Sequence, residues 1–248
     1  MLAAAVATRA VPHIHLLCMD GRFSDAFTTA LATYKGSLPS SVSVEIHNMA
    51  LQFLPPSAKF DLVVSPANSY GRLDGSFDDA ISRAFSPGDD YNALTYAAQA
   101  ELYKEWRGFA PPGTCTLVRI PERFKERSKN VWGTRYLALC PTMRTPQEVV
   151  WDREVIYECV WSLLCAIDRH NRALGQSGVS ADDAGIRSIL ITPMATGVGR
   201  VSAERWAHQF ILAIRHFVDA VENPAKWSAL TWDDIEEYAD ALVDSRTM

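Results

Sequence analysis

Apolar and polar positions along this chain alternate between two periods, and the switches between them mark out its elements. His13–Met19 (HIHLLCM) reads as a strand ending at Asp20. Over Arg22–Lys35, the residues Phe23, Phe27, Ala30, Leu31 and Tyr34 recur near helical spacing, and Gly36 closes the helix. Ser43–Asn48 has period two, with Val44 and Ile46 on one face and Glu45 and His47 on the other. Further strands are predicted at Leu62–Val64, Thr114–Ile120, Arg135–Cys140 and Ile186–Thr192, the last an unbroken apolar run suited to the centre of a sheet. Helices are predicted over Tyr91–Trp106, over Asp152–Arg172, from a Ser202 cap to Asn223-Pro224, and over Thr231–Val243. Residues 173–185 are small and polar and read as an exposed loop. Alternating strands and helices, with no repeat and no linker, imply one domain built as a three-layer α/β sheet.

The stretch from Phe60 to Phe85 organises the rest. Its strand breaks at Ser65-Pro66, passes through a loop containing Asn68, Ser69, Gly71, Asp74 and Gly75, and enters a helix with Ser76 at the N-cap position and Asp78 and Asp79 in the first turn. A strand feeding a polar loop and then a helix N-terminus cradles anions, because the first helical N–H groups lack partners. A second such loop is Pro193–Arg200, where Thr196, Gly197, Val198 and Gly199 are small enough for backbone N–H groups to approach phosphate oxygens. Asp20, at a strand's C-terminal edge, either caps its helix or faces a ligand. Asn68 is an Asx-turn residue or a ligand contact, and Asp78 a local helix-start acid or a polarising group. Arg144 either meets a phosphate or pairs with Glu148 or Asp152.

Pro66, Ala67, Asn68, Gly75, Asp78, Ala80 and Ile81 together resemble the signature of the macro domain, and segments 137–146 (LALCPTMRTP) and 189–200 (ILITPMATGVGR) resemble two more of its segments in order. The three cover most of residues 42–221, and the form SPANSYGRLDG with PTMRTP looks like a divergent branch. The resemblance implies an α/β/α sandwich with a mixed sheet. Its core would lie at about 42–221, with a strand–helix extension at 13–36 and a helical extension at 224–248. It also implies a ligand, ADP-ribose or a related nucleotide derivative, with an ADP-ribosylated protein as a further partner. It carries Asn68 to the distal ribose, Asp78 to the catalytic acid position of hydrolytic members, and Thr196–Gly199 to the phosphate loop. Asp20, Ser69, Gly75 and Arg200 complete the expected ligand set. Three readings stay open: a binder; a hydrolase removing ADP-ribose from protein or phosphate from ADP-ribose 1″-phosphate, with Asn68 and Asp78 catalytic; and an interaction protein that lost its ligand.

The chain departs from the family in several places. The strand that usually ends in the adenine-binding Gly-Asp is matched to Ser43–Asn48, which leaves Asn48 and Met49 in those positions, with Asp20 or Asn48 as substitutes. The glycine run before Asp78 is reduced to Asp74-Gly75-Ser76, Asp74 brings negative charge near the expected diphosphate, and Gly199 stands where an aromatic often covers the ribose.

Composition narrows the rest. A net charge of −5 argues against a broad nucleic-acid surface, and no apolar run reaches membrane-spanning length. Five cysteines without metal or redox spacing read as buried, reduced thiols in a reducing compartment, expected to be cytoplasmic with nuclear or mitochondrial placement left open. The six histidines form no HExxH and no Cys/His cluster, so neither a metal site nor a cofactor is expected.

Overall fold

The computed structural model describes residues 10–34, 38–177 and 185–248. Its elements in chain order are β1 (His13–Leu17), α1 (Gly21–Thr33), β2 (Val44–His47), β3 (Leu62–Ser65), α2 (Phe77–Phe85), α3 (Ala93–Trp106), β4 (Thr116–Arg119), β5 (Tyr136–Leu139), α4 (Val155–Ser177), β6 (Ser188–Ile191), α5 (Ala203–Glu222), α6 (Pro224–Trp227) and α7 (Trp232–Ser245). The strands form one six-stranded sheet in the order β2-β1-β6-β3-β5-β4. All neighbours are parallel except β4, which runs antiparallel to β5, so the sheet is mixed.

Side chains alternate across each strand, and the two faces collect separate cores. Ile14, Leu16 and Cys18, Leu62 and Val64, Ala138 and Cys140, and Ile189 and Ile191 face a core filled from α1, α4 and α5. Leu17, Val63, Leu137, Leu139 and Leu190 face a second core closed by α2, α3 and the short 3₁₀ turn at Leu51–Phe53. The result is the expected α/β/α sandwich. Four of the five cysteines belong to the first core and Cys165 packs against it, so all the thiols lie on one side of the sheet.

The β1–α1 unit is integral to the sheet. β1 lies between β2 and β6, and α1 packs on α5 through Phe23 against Trp206 and Phe27 against Phe210. The carboxy-terminal helix α7 opens with a Thr231–Asp234 capping box and docks on the domain, with Arg246 paired to Glu154 and Gln209 donating to Ser245 Oγ at 3.2 Å. The long helix α4 continues to Ser177, five residues beyond its expected end, so the first part of the expected 173–185 loop is helical. The remainder of that loop through residue 184, and the Gly36 stop of α1, lie outside the described residues. No described helix is long and apolar enough to cross a membrane.

Candidate functional site

Because β1, β6 and β3 are adjacent and parallel, the loops leaving their C-terminal ends emerge side by side. Crevices at this edge of an open sheet are where such folds hold ligands. Here the loops enclose a cleft of about 340 Å³ lined by Met19 and Asp20 after β1, residues 66–68, 72 and 74–78 after β3, Thr142, Met143 and Pro146 after β5, and residues 195–199 after β6.

The wall after β3 is shaped by Asn68. Its side-chain carbonyl accepts from the N–H groups of Tyr70 (3.1 Å) and Arg72 (3.3 Å), and its amide donates to Arg72 O at 2.8 Å. Asn68 thus forms the Asx turn while lining the cleft. Ser69 is a correction: it is fully buried behind the loop, its N–H donating to Met143 O at 2.9 Å, and it is absent from the cleft wall. That bond and Thr142 N–H to Ala67 O at 3.0 Å tie the loops after β3 and β5 together. Asp74 does not stand as a bare charge, since Arg72 clasps it through Nε at 2.9 Å and through Nη2. The repulsion expected of Asp74 is thereby offset at the cleft mouth.

Ser76 does not cap α2. Its backbone stands at φ 51° and ψ −125°, outside the usual capping conformation, and its hydroxyl makes no capping bond. This backbone conformation suits glycine, so the shortened glycine run has kept a glycine's geometry with a serine in it. Ser76→Gly is expected to stabilise the protein by about 1 kcal/mol, the strain outweighing glycine's entropy. Thermal denaturation checks this as a rise in Tm of about 2–4 °C; a fall would place the strain elsewhere.

Asp78, in the first turn of α2, is buried and lines the cleft floor, accepting from Ser65 Oγ at 2.6 Å. Burial pushes its carboxyl up to about 7; the Ser65 hydrogen bond opposes the rise and the charge of Asp74 adds to it. At neutral pH this group is therefore divided between acid and carboxylate. Two further polar groups escaped the sequence reading. Arg72 was hidden because only the fold shows where it points. Thr142 Oγ1, fully buried in the cleft wall, has no hydrogen-bond partner among the described residues.

The loop after β6 forms the opposite wall. Thr196 Oγ1 donates to Pro193 O at 3.0 Å, while Arg200 N–H donates to Gly197 O (3.1 Å) and Val201 N–H to Ala195 O (3.1 Å). The N–H groups of Thr196, Gly197, Val198 and Gly199 make no hydrogen bond within the described residues. Those of Gly75, Ser76 and Phe77 across the cleft are equally unpaired. Gly199 is required by space: a Cβ there would lie 2.4 Å from Ala195 O. Gly197 has nothing within 4 Å of a Cβ position. Arg200 is a second correction, because its N–H closes the turn, its guanidinium pairs with Glu148 at 3.1 Å, and it stays out of the cleft lining. Arg144 stacks over Phe109 at 4.7 Å and lies outside the cleft lining.

Asp20 both caps α1, accepting from Arg22 N–H at 2.9 Å, and lines the cleft. The end of β2 is elsewhere: β2 is the outermost strand, and Asn48 and Met49 are absent from the cleft lining. The strand that reaches the cleft beside β6 is β1, whose following residues Met19 and Asp20 line it.

No protein-family model matches this sequence, and no curated protein matches it. Among solved structures the chain is similar to the Oceanobacillus iheyensis macrodomain. A glycine-to-valine mutant with ADPR aligns at 16% identity and a TM-score of 0.44, over 66% of this chain and 75% of that one. The macrodomain with ADP aligns at 18% identity and 0.45, over 66% and 74%. An asparagine-to-alanine mutant aligns at 17% and 0.44, over 66% and 71%. In three dimensions, then, what this chain is similar to is a macrodomain, at low identity.

Proposed function

We propose that this chain is a divergent macro domain whose cleft binds ADP-ribose or a closely related nucleotide derivative. The observation that carries this reading is the pair of facing loops with unpaired N–H groups, Gly75–Phe77 at the start of α2 and Thr196–Gly199 after β6. Backbone donors at a helix N-terminus and in a turn suit the oxygens of a diphosphate, and they need no basic side chain to do so. Asp78 and the Asn68 loop would take the distal ribose, and Asp20 the far end of the ligand near the base. Thr142 Oγ1 offers one more hydrogen bond to a bound group. Calorimetric titration with free ADP-ribose is expected to give saturable heat with one site per chain; a folded protein that gives none at millimolar ligand has another function.

Hydrolysis of an ADP-ribosyl bond or of a terminal phosphate is the second reading, and one observation favours it. A buried carboxyl held near pH 7 at the cleft floor is suited to move a proton at the working pH. An interaction protein without ligand is less well supported, because neither Met49 nor Tyr70 fills the cleft: Met49 packs against the second core and Tyr70 lies outside against Phe109.

A further inference from the structure

The histidines are scattered in sequence, and that spacing led to the expectation of no metal site. Strand pairing overrides it. In the parallel β1–β2 register His15 lies opposite Glu45 and Leu17 opposite His47, so His13, His15, Glu45 and His47 all project from one face of the sheet. Their polar atoms converge. Glu45 Oε2 lies 3.8 Å from His13 Nε2 and 3.7 Å from His15 Nδ1, Glu45 Oε1 lies 3.7 Å from His47 Nε2, and His15 Nδ1 lies 3.0 Å from His47 Nε2.

We propose that these four side chains form a binding site for a divalent transition-metal ion, best suited to zinc, separate from the nucleotide cleft. Zinc bonds of about 2.0–2.2 Å at tetrahedral angles place neighbouring donor atoms roughly 3.3 Å apart, so His13, His15 and Glu45 need only small side-chain adjustments to close on an ion, and His47, beside His15, a larger one to join them. The donor atoms of His13, His15 and Glu45 all lie within 4.8 Å of one another. His47 joins them through its 3.0 Å contact with His15. Three imidazoles and a carboxylate are a donor set that zinc accepts, whereas magnesium and calcium prefer oxygen throughout.

The rings are also held from behind, as ligating histidines usually are. His15 Nε2 contacts the Lys59 carbonyl at 3.1 Å, and a carbonyl only accepts. A neutral His15 ring therefore keeps its proton on Nε2 and presents the Nδ1 lone pair to the cluster. His13 Nδ1 is anchored to Ser43 Oγ at 2.8 Å, which leaves Nε2 facing Glu45. His15 and His47 are buried, while the half-exposed His13 and the exposed Glu45 leave a path for an ion to enter. With four protein donors such a site is structural: it would clip the outer strand β2 to β1 at roughly 13 Å from the cleft, counted as four residues of strand rise.

The test is zinc titration of the untagged full chain against a chromophoric chelator, with cobalt loading as a spectroscopic check. The expected result is one zinc per chain, and a visible cobalt band of tetrahedral intensity. Glu45→Gln and His13→Ala remove exposed or half-exposed ligands, so the fold should survive. Each should weaken zinc by on the order of tenfold or more, and the pair together by about a hundredfold, with the cobalt band diminished in step. Buried His15 needs no substitution for this test. Absence of stoichiometric zinc in the parent chain, or equal affinity in the double variant, would overturn the proposal, and neither outcome bears on ADP-ribose binding.

Discussion

Gly197→Glu is expected to abolish ADP-ribose binding while leaving the fold intact. A Cβ at Gly197 meets nothing within 4 Å, so the backbone accepts a side chain without displacing core residues. Gly197 nevertheless lines the cleft between two N–H groups that have no partner among the described residues. A glutamate there would reach into the space proposed for the diphosphate and set a carboxylate against it. Like charges brought together at an interface cost several kcal/mol, which corresponds to a loss of affinity on the order of a hundredfold or more. Calorimetry measures the affinity, while circular dichroism and Tm monitor the fold. Parent-like binding by this variant would mean that the ligand does not pass between these loops.

The second large effect is one of stability and depends on pH. Asp78 has a carboxyl raised from 3.8 to about 7. Between those values the unfolded chain has already released the proton that the folded protein keeps, so stability falls as pH rises. The favourable contribution is complete below pH 3.8 and is lost as pH passes through about 7, a total of about 4 kcal/mol. Asp78→Asn removes the titration and keeps an oxygen to accept from Ser65. It should be more stable than the parent by about 1–2 kcal/mol at pH 5 and by about 4 kcal/mol at pH 8.5. Urea unfolding at both pH values measures the difference; a deficit of equal size at both would mean that Asp78 is held ionised in the fold. Should the hydrolase reading hold, the same variant also stops turnover. A destabilising group kept at a cleft floor is where function is expected to oppose stability.

The elements were largely legible because they rest on local pattern. Ile14, Leu16 and Cys18, or Ile189 and Ile191, announce their strands by alternation, and Phe23, Phe27 and Ala30 announce α1 by helical spacing. Adjacency was not legible. Periodicity does not say that β1 inserts between β2 and β6, which keeps Asn48 and Met49 at the outer strand and out of the cleft lining. Nor does it say that Arg72 folds back onto Asp74, or that Glu45 gathers three imidazoles from two strands. Ser76 misled in another way: serine before an acidic turn is a good capping signal, but here the backbone retains a glycine-like turn and the hydroxyl makes no capping bond.

The one-sided placement of the thiols makes them a clock for a single layer of the molecule. Cys18, Cys115, Cys140 and Cys159 are buried against α1, α4 and α5, and only Cys165 is half-exposed. Burial pushes Cys18 up to about 12 and raises Cys159 further; Cys140 is raised by its hydrogen bond with Cys115 as well as by burial. In the closed protein these groups supply almost no thiolate to an alkylating reagent. Cys165, the most accessible thiol though itself raised by burial, is modified first, and further labelling must wait for that layer to lift from the sheet. Helix α2 lies on the opposite face against the second core, while the end of α3 reaches Cys115 through Trp106. Thiol labelling and hydrogen exchange of the α2 amides followed together would therefore tell whether the two faces of the sheet open as one unit or separately.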